Sequence, residues 1–182
     1  MERLKGIKVA ILAANGFEQV EMEKPRKALE NEGAETFLIS PEKDYVQGWH
    51  HLEKGDTFSV DVPLTKAKAD NFDALLLPGG VINPDRLRTF PEAAAFVKEM
   101  SEQHKPIAAI CHGPWMLINA EVAKGHKVTS WYSIKLDLIN AGAEWVDAPV
   151  VCDEQLLTSR KPDDIPQFNE AMIKLFESRA KV

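Results

Sequence analysis

The sequence predicts an α/β protein with a mostly parallel sheet and helices on both faces. Three observations predict it. Short continuous apolar runs at residues 7–13, 34–40, 72–77 and 106–110 read as strands buried on both faces. Between them lie segments with helical periodicity, and strands alternating with helices argue for a parallel sheet. The runs at 7–13, 72–77 and 106–110 end in tight turns, Asn15-Gly16, Pro78-Gly79-Gly80 and Cys111-His112-Gly113.

The elements follow in order. The run IKVAILA (7–13) is the first strand. Residues 18–33 read as a helix stopped by Gly33. Pro25 predicts an irregularity, with the main helix at about 25–31. AETFLIS (34–40) closes a βαβ unit. Residues 44–69 are different: aromatic and histidine residues between Gly48 and Gly55, then an alternating Phe-Ser-Val-Asp-Val, predict a small hairpin or edge excursion. FDALLL (72–77) is the next buried strand. Residues 91–104 form a helix with Ala94, Phe96, Val97 and Met100 inward. PIAAI (106–110) then turns almost without a loop into a helix beginning at Pro114, where proline suits a helix start. Residues 127–131 form a strand. Residues 133–141 form a helix capped by Ser133 and stopped by Gly142. Residues 149–152 and 156–159 pair through an Asp153-Glu154 turn, and 165–179 is the closing helix. No repeat or linker divides the chain, so one domain over 1–182 is expected.

The 182 residues are 45% apolar and 27% charged, an ordinary composition for a soluble protein. A net charge of -6 argues against a general nucleic-acid or anionic-membrane binder. The N-terminal apolar run is too short to span a membrane and lacks a signal-peptide pattern. Two cysteines make no disulfide framework, and a cytoplasmic setting is expected. Histidines and cysteines show no metal-site spacing, and no cofactor is expected.

Open α/β sheets carry their sites at the carboxyl ends of strands. Cys111 stands on a sharp strand-to-helix turn, the kind that displays a nucleophile. Helix N–H groups there would favour the thiolate, so a lowered thiol pKa is expected. The alternative is a small buried cysteine filling space. Backbone N–H groups of Gly80 and His112 could form an oxyanion hole facing the sulfur, or the glycine pair could be a plain tight turn. Glu18 is placed near the thiol as a proton carrier, or else complements a helix dipole. His112 follows the cysteine directly, and neighbouring residues on a sharp turn point different ways. His50, His51, His104 and His126 read as surface residues, and Cys152 as inert.

Taken together, Ala-Ile-Cys-His-Gly-Pro, Leu-Pro-Gly-Gly and Gly-Phe-Glu-x-Val-Glu resemble the ThiJ/PfpI intracellular protease family. Its superfamily includes the Parkinson-disease protein deglycase and class I glutamine amidotransferase domains. The resemblance runs over essentially the whole chain. It implies a flavodoxin-like three-layer sandwich. It implies Cys111 as nucleophile, Glu18 hydrogen-bonded to it, and His112 in a Cys-His-acid triad. The acid comes from a neighbouring subunit; the matching position is Asp85, where the family pattern has a glutamate. Pro84, Arg86 and Arg88 make that segment stiff and charged, and a homodimer, or a larger homo-oligomer, is expected. A PfpI-like cysteine hydrolase of stress defence is implied, acting on glyoxal or methylglyoxal adducts or on the free aldehydes, with peptidase activity also assigned in the family. Trp115 and Trp131 are expected to flank its pocket. The competing readings are a redox sensor or chaperone-like protein using Cys111 oxidation, and a degenerate amidotransferase-like binding domain. The last lacks the usual late histidine–glutamate pair.

Overall fold

A computed structural model describes residues 2–179. Its strands are β1 (Lys8–Leu12), β2 (Phe17–Glu18), β3 (Glu35–Ser40), β4 (Tyr45–His50), β5 (Glu53–Ser59), β6 (Val62–Pro63), β7 (Ala74–Leu77), β8 (Ile107–Ile110), β9 (Lys127–Val128), β10 (Glu144–Trp145), β11 (Val150–Asp153) and β12 (Leu156–Ser159). Its helices are α1 (Gln19–Asn31), α2 (Ile82–Leu87), α3 (Pro91–Glu102), α4 (Trp115–Asn119), α5 (Lys135–Asn140) and α6 (Ile165–Arg179).

The main sheet has seven strands in the order β11-β12-β8-β7-β1-β3-β6. All its pairings are parallel except β11 with β12, which the Asp153-Glu154 turn folds back. Side chains alternate across the pleat. Val9, Ile11, Ala74 and Leu76 pack on α1 and α6, through residues such as Met22, Leu29, Phe168 and Phe176. Ala10, Leu12, Leu75 and Leu77 face the other way, onto Phe96, Val97, Met116 and Leu138 of α3, α4 and α5. This is the expected three-layer sandwich with a core on each face of the sheet. Among the described residues no helix is long and apolar enough to cross a membrane.

Several local expectations change. The strand expected at 127–131 is confined to β9, which pairs with β10 outside the main sheet. Helix α1 runs continuously through Pro25, because burial of Met22, Pro25 and Leu29 holds it against the sheet. Proline removes only the N–H that would bond the Glu21 carbonyl. Residues 82–87 form the short helix α2, which the proline and charges obscured. In α3 the inward alanine is Ala93, with Ala94 only half-buried. Helix α5 begins at Lys135 after a 3-10 turn at Tyr132–Ile134, and Ser133 does not cap it. Of the excursion at residues 44–69, the part up to Ser59 is the predicted hairpin, β4–β5, joined by β2 into a separate three-stranded sheet, and β6 returns to the edge of the main sheet beside β3.

Candidate active site

Strands β8, β7 and β1 are neighbours, and the turns at their carboxyl ends converge. The turn after β8 holds Cys111 at φ 63, a left-handed backbone uncommon for a residue with a Cβ. The conformation is fixed from both sides. Cys111 N–H donates to the Ser159 carbonyl at 3.0 Å, and its own carbonyl accepts from Trp131 N–H at 2.8 Å. The thiol is thereby held beside the turn after β7. There Gly79 must be glycine: a Cβ would lie 2.6 Å from that of Cys111 and would strike the Glu21 carboxyl. Gly80 has φ +78, and its N–H, with that of His112, faces the sulfur. The turn is clamped by buried Asn83, which donates to the carbonyls of Pro78 and Gly79 at 3.1 Å and accepts from Ala14 N–H at 2.7 Å.

The acid beside the thiol is Glu21, not Glu18. Glu18 ends β2, just before α1 begins, and its side chain is directed to the hairpin tip. Its Oε2 accepts from His51 N–H at 3.1 Å, and Nδ1 of the same histidine lies 3.9 Å away. Glu21 lies in the first turn of α1 on the face turned to the sheet and is wholly buried. Its carboxyl oxygens meet no hydrogen-bond partner of ordinary geometry; they face the Cys111 thiol and the amides of Gly79 and Gly80. Burial pushes the Glu21 carboxyl up to about 8, so it holds its proton at neutral pH.

The expected lowering of the Cys111 pKa is also reversed. Burial pushes the thiol above its ordinary range, and negative charge on Glu21 pushes the same way. The Gly80 and His112 amides pull it down, but by less. Helix α4 is only a five-residue segment, too short to supply much dipole.

His112 does contact the sulfur: Nδ1 lies 3.3 Å from Sγ. Its Nε2 lies 3.2 Å from Ser133 Oγ. Its ring stacks on Trp131 at 6.2 Å between centroids and lies tilted to Trp115 at 5.2 Å. Burial lowers its pKa to about 4, so the imidazole is neutral. Asp85 is exposed on α2. Both ring nitrogens of His112 have partners within the chain, Cys111 and Ser133, and among the described residues no acid bonds either of them.

The cavity over the thiol has a volume of about 350 Å³. Glu21, Cys111 and His112 lie at its base, and Trp49, Leu52, Val81, Ile82 and Trp131 line it, with Glu18 and His51. Trp115 does not line it: its indole N–H donates to Asp137 at 2.8 Å, and Arg88 lies over its ring. Residues the sequence reading missed here are Glu21, Trp49, His51, Asn83 and Ser133. Glu21 is the second acid of Gly-Phe-Glu-x-Val-Glu, so its signal was present. Ser133 carried none, because its partner His112 lies 21 residues away, and Asn83 joins the nearby Pro78 and Gly79 carbonyls to distant Ala14, a link that only the fold reveals. Cys152 sits exposed on β11, away from the site. Among the described residues no group of three His, Cys, Asp or Glu is placed to hold a metal ion.

A sandwich of this topology with a cysteine on the turn after a central strand defines a flavodoxin-like, cysteine-elbow protein. The chain belongs to the DJ-1/PfpI family, whose sequence profile matches residues 7–175. It is 42% identical over 171 residues to a deglycase of Pyrococcus horikoshii, covering 94% of this chain and all of that one. It is 41% identical over 171 residues to Deglycase PfpI of Pyrococcus furiosus, with the same coverage. Among solved structures, a two-domain protein of Anabaena variabilis with DJ-1/ThiJ/PfpI-like and ferritin-like domains matches with TM-score 0.87 and 35% identity, over 92% of this chain; the match spans 47% of that protein. DJ-1beta of Drosophila melanogaster, at TM-score 0.83, 24% identity and 96% of each chain, has the same fold.

Proposed function

We propose that the protein is a cysteine-dependent hydrolase that clears α-oxoaldehydes or the adducts they leave on amino and guanidino groups. The observation that carries this reading is the buried cluster of Cys111, Glu21 and His112 at the base of a small, largely apolar cavity. The deglycase names of relatives 41–42% identical over 94% of the chain support the substrate class. The Cys111 sulfur adds to the aldehyde carbon, free or regenerated when a hemiaminal adduct gives its hydroxyl proton to the departing amine, and the thiol proton passes to Nδ1 of His112. The oxygen of the new hemithioacetal lies against the Gly80 and His112 amides. The proton on His112 passes to that oxygen. Glu21, in the fraction that is ionised (its carboxyl titrates at about 8), takes the proton from the hemithioacetal carbon and returns it to the adjacent one, while the hydroxyl proton moves from the first oxygen to the second. The first carbon is oxidised to a thioester and the second reduced from ketone to alcohol, with no outside oxidant. Water cleaves the thioester, releasing a hydroxy acid and restoring the thiol. The test measures wild-type turnover on methylglyoxal, on a methylglyoxal-treated arginine peptide and on casein. Hydroxy acid from either of the first two supports the reading; turnover of casein alone overturns it in favour of a peptidase.

A second reading, a redox sensor, is favoured by the protonated Glu21 carboxyl, which would donate to an oxidised sulfur. Peroxide converts the thiol to sulfenic acid and water, and a second equivalent gives sulfinic acid. An active reduced enzyme that peroxide merely inactivates counts against the sensor.

For assembly we propose a homodimer in which Asp85 of one protomer lies near His112 of the other. Exposed Val81 and Ile82, beside Asp85 and at the cavity rim, support it. Asp85→Ala is expected to cut activity several-fold without unfolding the chain. Mixing it with inactive Cys111→Ala should restore part of the loss through hybrid dimers. Wild-type activity in Asp85→Ala alone would refute the shared site.

A further inference from the structure

We infer that Ser133 is a positioning residue for His112: its hydroxyl accepts the Nε2–H and so leaves Nδ1 bare toward the Cys111 sulfur. The inference rests on the reading of Cys111 as the nucleophile and deepens it.

The geometry is a chain of four groups. The Glu21 carboxyl faces Sγ of Cys111, Sγ lies 3.3 Å from Nδ1 of His112, and Nε2 lies 3.2 Å from Ser133 Oγ. The direction of the hydrogens follows from counting them. A neutral imidazole has one N–H and one lone pair. The Glu21 carboxyl and the Cys111 thiol each bring a hydrogen; Glu21 is wholly buried, and Cys111 is buried except where it faces the cavity. With the Glu21 O–H given to the sulfur it faces, the S–H needs a different acceptor. Nδ1 is the atom within reach. The ring hydrogen must then be on Nε2, and Ser133 Oγ is its acceptor. With the opposite tautomer, Nδ1–H and S–H would compete for the same space, leaving one buried donor unpaired.

The backbone holds Ser133 where this is required. Trp131 N–H is bonded to the Cys111 carbonyl at 2.8 Å, so the segment is fixed to the elbow itself. The 3-10 turn at Tyr132–Ile134 closes on the Trp131 carbonyl, with Ile134 buried as its anchor. Ser133 is exposed as a residue, but its hydroxyl reaches inward to a buried ring. This is why it does not cap α5. The Trp115 and Trp131 rings restrict the tilt of the imidazole, and the hydroxyl selects its tautomer. The selection needs no acid from a second chain.

The test uses three variants, Ser133→Ala, Ser133→Thr and Asp85→Ala, with the tautomer of His112 read by long-range proton–nitrogen NMR at pH 7. His112→Asn identifies the resonance. Wild type and Asp85→Ala should show the Nε2–H form, and Ser133→Ala a mixture. In parallel, alkylation of Cys111 by iodoacetamide, which needs no substrate, should slow about 5- to 30-fold in Ser133→Ala and recover in Ser133→Thr. A wild-type Nδ1–H form would overturn the inference, as would an unchanged tautomer and alkylation rate in Ser133→Ala. Loss of the tautomer in Asp85→Ala would assign the role to the neighbouring acid instead. Because alkylation is read without substrate, failure of the substrate assignment leaves this result standing, and the reverse holds too.

Discussion

Cys111→Ala is expected to abolish carbonyl clearance, a loss of about three orders of magnitude or more, because the bond-forming atom is gone. Cys111→Ser should be nearly as inactive: a serine hydroxyl is far less acidic than a thiol, and neutral His112 is too weak a base to activate it. Cys152→Ala should retain activity within about twofold, since substitutions remote from a site are usually mild. Hydroxy-acid release followed by chromatography decides the matter. Turnover persisting in Cys111→Ala, or vanishing in Cys152→Ala, removes Cys111 from the chemistry.

Glu21→Gln should act on stability as well as on rate. Glu21 titrates at 4.5 when exposed in the unfolded chain and at about 8 in the fold. Between those values the folded protein keeps a proton that the unfolded chain has lost. Stability therefore falls as pH rises through this window, by about 1.4 kcal/mol per pH unit at most. His112 has the opposite sign. Its pKa drops from 6.5 to about 4 on folding, so the unfolded chain binds the extra proton and stability rises with pH between those values. The two slopes nearly cancel between about pH 4.5 and 6.5. From pH 6.5 to 8 Glu21 acts alone, and the loss reaches roughly 2 kcal/mol. Glutamine keeps the shape and has no proton to lose. Denaturant midpoints at pH 6.5 and 8 should thus move apart by roughly 2 kcal/mol more in wild type than in Glu21→Gln. Equal slopes in the two proteins would show that Glu21 is ionised in the fold. The same variant should lose turnover by about 10²-fold or more, since a carboxamide cannot relay the proton.

The sheet was legible because its strands are continuous apolar runs, and burial on both faces needs nothing more from the sequence. The hairpin was legible from its glycines and alternation. Helix α2 was not, since six residues carry too little periodicity to separate them from a loop. In the site, Cys111, His112 and Gly80 were legible because a turn between a buried strand and a helix allows few other uses. The choice between Glu18 and Glu21 depended on where α1 starts. The strand β2 takes Glu18 away to the hairpin, and a three-residue difference exchanges the cavity mouth for its base. The thiol pKa was misjudged because burial outweighs a short helix, and burial is a property of the assembled layers. Ser133 looked like a helix cap because serine before a helical run usually is one.

The small sheet of β2, β4 and β5 bears on how members of this family diverge. It supplies Glu18 and Trp49 to the cavity, with His51 and Leu52 from its tip, and none of Cys111, Glu21 or His112. Its links to the sandwich include the side chain of buried Gln19, which bonds Asp56 twice at 2.8 Å, and that of Asn15, which accepts from Gln47 N–H at 2.8 Å. Sequence drift that keeps those two attachments can recast the rim without disturbing the proton path below it. A change in the hairpin can therefore reshape the mouth of the cavity while leaving Cys111, Glu21 and His112 where they are.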